Sequence, residues 1–195
     1  MKKIILLIVL GFIFSNTQYS IGIDLKKELS TNHYSDPNNV INNVSNYIDG
    51  VNLPGFTLGF EKLGYLGKKK RINLGFEYSM KTTRDNPYTP FNLDIQNVTM
   101  SLINFYTKWN FIDTNKFDFF LKVGHSEMLN YNINGDSMSS RSGLLSFGLG
   151  MTYNDKFRLT YDNMSFTVFD AYIPEAAINY EHSGSVVKIN LAYLF

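Results

Sequence analysis

The last ten residues, Val186 to Phe195, read V-V-K-I-N-L-A-Y-L-F and alternate strictly. Val187, Ile189, Leu191, Tyr193 and Phe195 fall on one face; Lys188, Asn190, Ala192 and Leu194 fall on the other. A period of two marks a strand with one apolar face. Seven earlier segments repeat the pattern, at about 19–29, 54–66, 71–82, 97–111, 116–130, 143–153 and 156–168. Beyond residue 14 no apolar run approaches the ~20 residues that a membrane helix needs. A chain of this kind enters a membrane only as a closed barrel.

The two faces say which solvent surrounds such a barrel. One face carries Phe, Leu, Ile and Tyr almost throughout. The other carries Gly59, Gly75, Gly148 and Gly150 among Ser, Thr, Asn and charge. Eight strands enclose only enough room for side chains. Turned inward, the polar face sets Asp24, Glu61, Glu77, Asp118 and Asp162 against Lys26, Lys81, Lys108, Lys122, Arg158 and Lys188. Orphan buried charges cost several kcal/mol, so these groups are expected to form a salt-bridged, largely closed interior. Lys188 is expected to meet Asp24 or Asp162 on the flanking strands. Lys27 and Lys62 fall on the lipid face by parity, near strand ends from which they snorkel. The fourth segment changes parity half-way, which predicts a bulge near Leu102-Ile103.

The connections between segments run long, short, long, short, long, short, long. That pattern predicts an all-β, eight-stranded antiparallel up-and-down transmembrane barrel, with four long external loops and short periplasmic turns. The long connections are 30–53, 83–96, 131–142 and 169–185; Asn154-Asp155 is a two-residue hairpin turn. Tyr65, Trp109, Phe111, Phe117, Tyr153, Phe157 and Tyr193, with Phe195, gather at the short-turn rim as an aromatic girdle. In the first loop, Asp36 as N-cap, Pro37 and apolar residues at one-face spacing predict a helix over 37–49, ending before Gly50. It either covers the barrel mouth or lies on the membrane.

Met1-Lys2-Lys3 and the apolar run Ile4–Phe14 form a charged n-region and a short h-region, the pattern of a secretory signal peptide. The expected division is a signal at 1–20, cleaved somewhere in 15–22, and a barrel domain at 21–195. Without Lys2 and Lys3, 16 bases stand against 17 acids, so no basic excess points to nucleic acid. There is no cysteine, and the three histidines at 33, 125 and 182 are scattered, so no metal set or cofactor site stands out. His125-Ser126-Glu127 does not make a triad on a strand, because neighbouring residues point to opposite faces. Lys68-Lys69-Lys70-Arg71 reads as a solvated turn that also touches anionic phosphate.

The final eight residues resemble the C-terminal assembly signal of bacterial outer-membrane barrels, with Lys188, Leu191, Tyr193 and Phe195 at its positions. Asn190 stands where that signal usually has Gly. Residues ~19–195 resemble the small eight-stranded outer-membrane barrels, of the OmpA/OmpX-like or opacity-protein type. This resemblance implies export, insertion by the barrel-assembly machinery, and contact with outer-membrane lipid and lipopolysaccharide. It also implies loops displayed outside, where an extracellular ligand would bind. The expected role is non-enzymatic: envelope integrity or surface adhesion. The alternatives are a narrow porin-like conduit, a lipid-modifying enzyme related to the barrel lipid A deacylases, and a soluble lipocalin-like barrel. The spaced His-x-Ser-Asn pattern of those deacylases is absent.

Overall fold

The computed structural model describes residues 16–34, 48–66, 71–85, 97–133, 136–137, 143–173 and 178–195, excepting the side chains of 31–34, 48–50, 65–66, 85, 133, 136–137, 143–144 and 166–183. Ten strands appear in order: β1 Thr17–Tyr34, β2 Ile48–Asn52, β3 Gly55–Leu66, β4 Ile72–Asp85, β5 Asn97–Asp113, β6 Phe117–Ile133, β7 Asp136–Ser137, β8 Gly143–Tyr153, β9 Phe157–Ile173 and β10 Ile178–Leu194. Eight of them are staves, running β1-β3-β4-β5-β6-β8-β9-β10, and β10 pairs back onto β1 to close the barrel. Every pairing is antiparallel. At the seam Tyr19 and Phe195 exchange both backbone hydrogen bonds, each at 3.0 Å.

The short turns follow from local chemistry. Asn154 and Asp155 both hold positive φ, 49° and 55°, as a two-residue primed turn requires. The Lys156 N–H closes that turn onto the Tyr153 carbonyl at 3.1 Å. Thr114 caps the β5–β6 turn, its hydroxyl accepting the Phe117 N–H at 2.9 Å. Gly64 supplies a positive φ of 60° at the end of β3, and its N–H donates to Asn73 Oδ1 at 2.8 Å.

At the opposite end the expected loops are partly strand. β9 continues to Ile173 and β10 begins at Ile178, so the expected long connection 169–185 shrinks to 174–177. Their ladder runs from Tyr193↔Phe157 to Ile178↔Ile173, through a stretch rich in Val, Phe, Tyr and Ile that favours strand. β1 likewise extends to Tyr34, and β2 pairs with it at Glu28↔Asn52 and Leu29↔Val51. β2 and β3 together make one stave, broken at Leu53-Pro54, where proline has no N–H to give the ladder. Ile48 and Asp49, the last residues of the expected helix, are therefore strand; 37–47 lie outside the described residues. β4 runs on to Asp85 and β6 to Ile133, where β7 folds back on it. β1 begins at Thr17, before the expected domain boundary at 21.

Bulges set the faces. Five residues of β1, from Asp24 to Glu28, span four on the neighbouring stave, from Gly55 to Asn52, and the ladder to β10 shifts at the same place. Leu25 is the extra residue. It keeps Leu25 and Lys26 both outward and turns Lys27 inward, where it is fully buried. This corrects the lipid-facing position expected of Lys27 and the inward one expected of Lys26. Lys26 instead meets Glu28 outside, at 2.7 Å. Lys81, also expected inward, is exposed at a bulge on β4, where Ser79–Thr82 spans Leu102–Met100. A matching bulge on β6 follows Asn130, whose φ is 52°. β5 itself carries no bulge at Leu102-Ile103. Its apolar residues change face because the environment changes, as described next.

Candidate functional site in the barrel interior

The interior is layered. Nearest the short turns, Glu61 accepts from Lys108 at 2.6 Å, Arg158 at 2.8 Å and the Tyr106 hydroxyl at 2.9 Å. Arg158 also donates to Gln18 at 3.3 Å. The middle layer is a four-membered ring. Lys122 touches Glu77 at 3.0 Å and Asp162 at 3.1 Å, and Lys188 touches the same pair at 3.0 and 3.8 Å. Lys188 thus meets Glu77 and Asp162. Asp24 instead takes Thr57, Ser79 and Asn190 at 2.7, 2.5 and 2.9 Å, with Lys27 at 3.9 Å.

Of the eleven charges expected inside, Asp24, Glu61, Glu77, Lys108, Lys122, Arg158, Asp162 and Lys188 are buried and joined in these layers, while Lys26 and Lys81 face outward. Asp118 is not buried. It sits one residue into β6 at the open short-turn mouth and stays partly exposed.

Two inward aromatic rings complete the filling. Tyr106 lies against the backbone of Gly75 and Gly124, and Phe120 against Gly150; a Cβ at any of these glycines would overlap a ring or its backbone. Lys122 sits 4.2 Å above the Tyr106 ring, and Lys108 sits 4.9 Å above that of Phe120, in cation–π range. The inward glycines marked the room; the inward Tyr and Phe were the signal for what fills it.

Beyond Asp24 and Asp162 the lining turns apolar. Leu29, Val51, Leu53, Val98, Met100, Leu102, Met128, Tyr131, Met164 and Val186 form one buried cluster. All-polar lining was expected, so this is a correction. Phase explains it: Leu102, Met100 and Val98 continue the inward register of Asn104, Met164 that of Asp162, and Val186 that of Lys188. The outward face changes in the opposite sense. Above Val123 come His125 and Glu127, paired at 3.2 Å, and above Tyr161 come Asn163 and Ser165. Ser126, between His125 and Glu127, is buried inside. The side chains of His33 and His182 lie outside the described ones.

Below that inversion the exterior is apolar and open. Ile21, Ile23, Leu58, Phe60, Leu74, Phe105, Leu121, Phe147, Leu149 and Leu191 are all at least 36% exposed. Trp109, Phe111, Phe117, Tyr153, Phe157 and Tyr193 all point outward at the short-turn rim. Tyr153 lies tilted against Phe117 with ring centroids 5.0 Å apart, and Tyr193 meets Phe157 edge-on at 5.5 Å. The side chain of Tyr65 lies outside the described ones. In the terminal strand, Leu191, Tyr193 and Phe195 face outward and Lys188 inward. An apolar exterior around a charged interior suits hydrocarbon as the surroundings.

Neither a protein-family model nor a curated protein matches the chain. Solved structures do. The outer-membrane protein OprG from Pseudomonas aeruginosa superposes with a TM-score of 0.56 at 13% identity, over 91% of this chain and 95% of that one. The outer-membrane protein AlkL, solved in lipid bilayers, gives 0.54 at 9% identity, over 94% and 92%. The chain has the fold of the small eight-stranded outer-membrane β-barrels.

Proposed function

We propose that the protein is a non-enzymatic integral protein of the outer membrane, with a structural role in the envelope and an interaction role at the cell surface. The observation that carries this reading is the closed interior. Three layers of paired charge and one apolar cluster occupy the lumen, with no residue of either more than a few per cent exposed. An aqueous conduit requires breaking buried ion pairs and wetting the apolar cluster, both costly. The narrow-channel alternative therefore gains no support. A lipid-modifying enzyme gains none either: His125 and Glu127 face out while Ser126 faces in.

What remains for recognition is the end opposite the short turns. There β9, β10, β1 and β2 continue as a sheet, with Tyr34↔Glu181 and Ile178↔Ile173 as its last pairs. On this reading the sheet and its connections meet the extracellular partner. The charged outward positions beneath them face the headgroups of lipopolysaccharide, and the terminal strand is read by the assembly machinery. Planar-bilayer recording on the purified protein tests the first half: no unitary steps are expected, and steady single-channel steps would refute closure. Shortening the β9–β10 hairpin by removing 168–183 tests the second. Binding of cells to immobilised host matrix should fall while folded outer-membrane levels hold. Unchanged binding would remove the adhesive role.

A further inference from the structure

Closing the barrel sets the last strand, β10, against the first, β1. A slip of one residue there would turn every inward side chain of β10 outward. A slip of two would not. The faces survive it, so the apolar pattern does not distinguish the two registers. One such slip even offers an ion pair, because it sets Lys188 opposite Asp24, a pairing that the sequence alone suggests. Something besides hydrophobic pattern therefore holds Ile23 opposite Leu191 and Asp24 opposite Asn190.

Three inward residues at the seam have the geometry to do this. Tyr19 and Phe195 exchange both backbone bonds. Pair types alternate from there, so Asp24 and Asn190 make a pair without mutual backbone bonds, in which side chains stand closer. The Asn190 amide donates to Asp24 Oδ1 at 2.9 Å. The same carboxylate accepts from Thr57 on β3 at 2.7 Å and from Ser79 on β4 at 2.5 Å, so the staves on its other side fix its orientation. Both Asp24 and Asn190 are buried. The amide lies over Gly22. A Cβ there would stand 2.6 Å from Asn190 Oδ1, 2.7 Å from its Nδ2 and 3.0 Å from the Ala192 Cβ. The place in the terminal strand that usually carries glycine thus carries Asn190, and a glycine stands across the seam to receive it.

We propose that Gly22, Asp24 and Asn190 act together as the lock that fixes the register in which the barrel closes. With Lys188 opposite Asp24, Asn190 would stand opposite Gly22, away from the close pair with the carboxylate. Lys188 would also leave Glu77 and Asp162, which it meets at 3.0 and 3.8 Å. In the opposite slip Ala192 would face Asp24 and Leu194 would face Gly22, so a buried carboxylate would lose a donor, which is costly. Of the three registers, the native one alone gives the amide a carboxylate opposite and bare backbone beside it. The lock lies within the chain and does not depend on which membrane receives the barrel.

The chain has no cysteine, so cysteine pairs report the register of the mature chain refolded into detergent. Ile23→Cys is combined with Leu191→Cys for the native register, and with Ile189→Cys or Tyr193→Cys for the two slips. Opposite Cβ atoms stand about 5 Å apart and diagonal ones about 7–8 Å, so oxidation favours the opposite pair. Disulfide is scored in the heat-modifiable, folded band. With the lock intact, the native pair should cross-link and the slipped pairs should not. Asn190→Ala should raise the ratio of slipped to native cross-link at least about tenfold, as the loss of one hydrogen bond to a charged group implies. Asn190→Gly, which restores the usual residue of the signal, should do the same. Gly22→Ala should do so while Asn190 is present and add nothing once Asn190 is alanine. Native register in the folded Asn190→Ala and Asn190→Gly barrels would overturn the proposal. An equal effect of Gly22→Ala in both backgrounds would also overturn it. So would loss of the folded band in both Asn190 variants, because a register lock chooses between closed barrels.

Discussion

At the scale of single residues, the lumen is where small changes cost most. Lys122 is shared between Glu77 and Asp162, both buried with it. Removing its charge leaves two carboxylates facing only Lys188. Breaking such a buried pair costs about 3–5 kcal/mol, so Lys122→Met should lower the urea midpoint of the detergent-refolded barrel by a corresponding amount. Lys26→Met, on the exposed pair with Glu28, should shift it by no more than about 1 kcal/mol. Equal effects of the two substitutions would contradict the burial argument. A second prediction concerns Gly150, where an added Cβ would overlap the Leu159 carbonyl and the edge of the Phe120 ring. Gly150→Ala should destabilise by about 1–3 kcal/mol. Phe120→Leu should restore part of that loss in the double variant, because it withdraws the ring edge; additive losses would show that the backbone contact alone matters.

At the scale of elements, the strands were legible and their irregularities were not. Period-two alternation identified all eight staves, and parity put Glu61, Glu77, Lys108 and Asp162 together inside. It misplaced Lys26 and Lys27 because one extra residue on a strand leaves no local mark: Leu25 looks like any other apolar strand residue. It also took the parity change at Leu102 for a bulge, although the change recorded a switch from polar to apolar lining. The distinction required the neighbouring strands, since only there do the shifts after Ser79 and Asn130 appear. The β1 bulge makes a sharp prediction. Deleting Leu25 removes the extra residue and leaves Asp24 and Lys27 on their present faces, so the variant should still give the compact, heat-modifiable band. Deleting Ile23 from the regular ladder turns over every residue N-terminal to it. That variant should fail to fold. If both deletions behave alike, Leu25 is not what sets the faces.

At the scale of the whole molecule, the barrel is two barrels end to end. The lower part is apolar outside and charged inside; the upper part has an apolar core and gains polar outward residues, His125, Glu127, Asn163 and Ser165, beside Leu129 and Leu145. The change falls after Leu25 on β1, after Val123 on β6 and after Tyr161 on β9, strands far apart in sequence. If these points share one height in the bilayer, a single external cause sets them, the plane where hydrocarbon gives way to water. Above it the sheet must build its core inward, as a soluble barrel does. The chain has no cysteine, so single cysteines carrying spin labels report depth without background. Leu121, Val123, His125 and Glu127 are successive outward positions on β6, all exposed, and together cover about 20 Å along the strand. In reconstituted bilayers, labels at Leu121 and Val123 should collide with dissolved oxygen, which concentrates in hydrocarbon. Labels at His125 and Glu127 should collide with a water-soluble nickel chelate. Asn163 and Ser165 on β9 should match the second pair, although β6 and β9 are not neighbouring staves. A crossover at different depths on the two strands would mean that the inversion follows packing within the barrel and not the membrane surface.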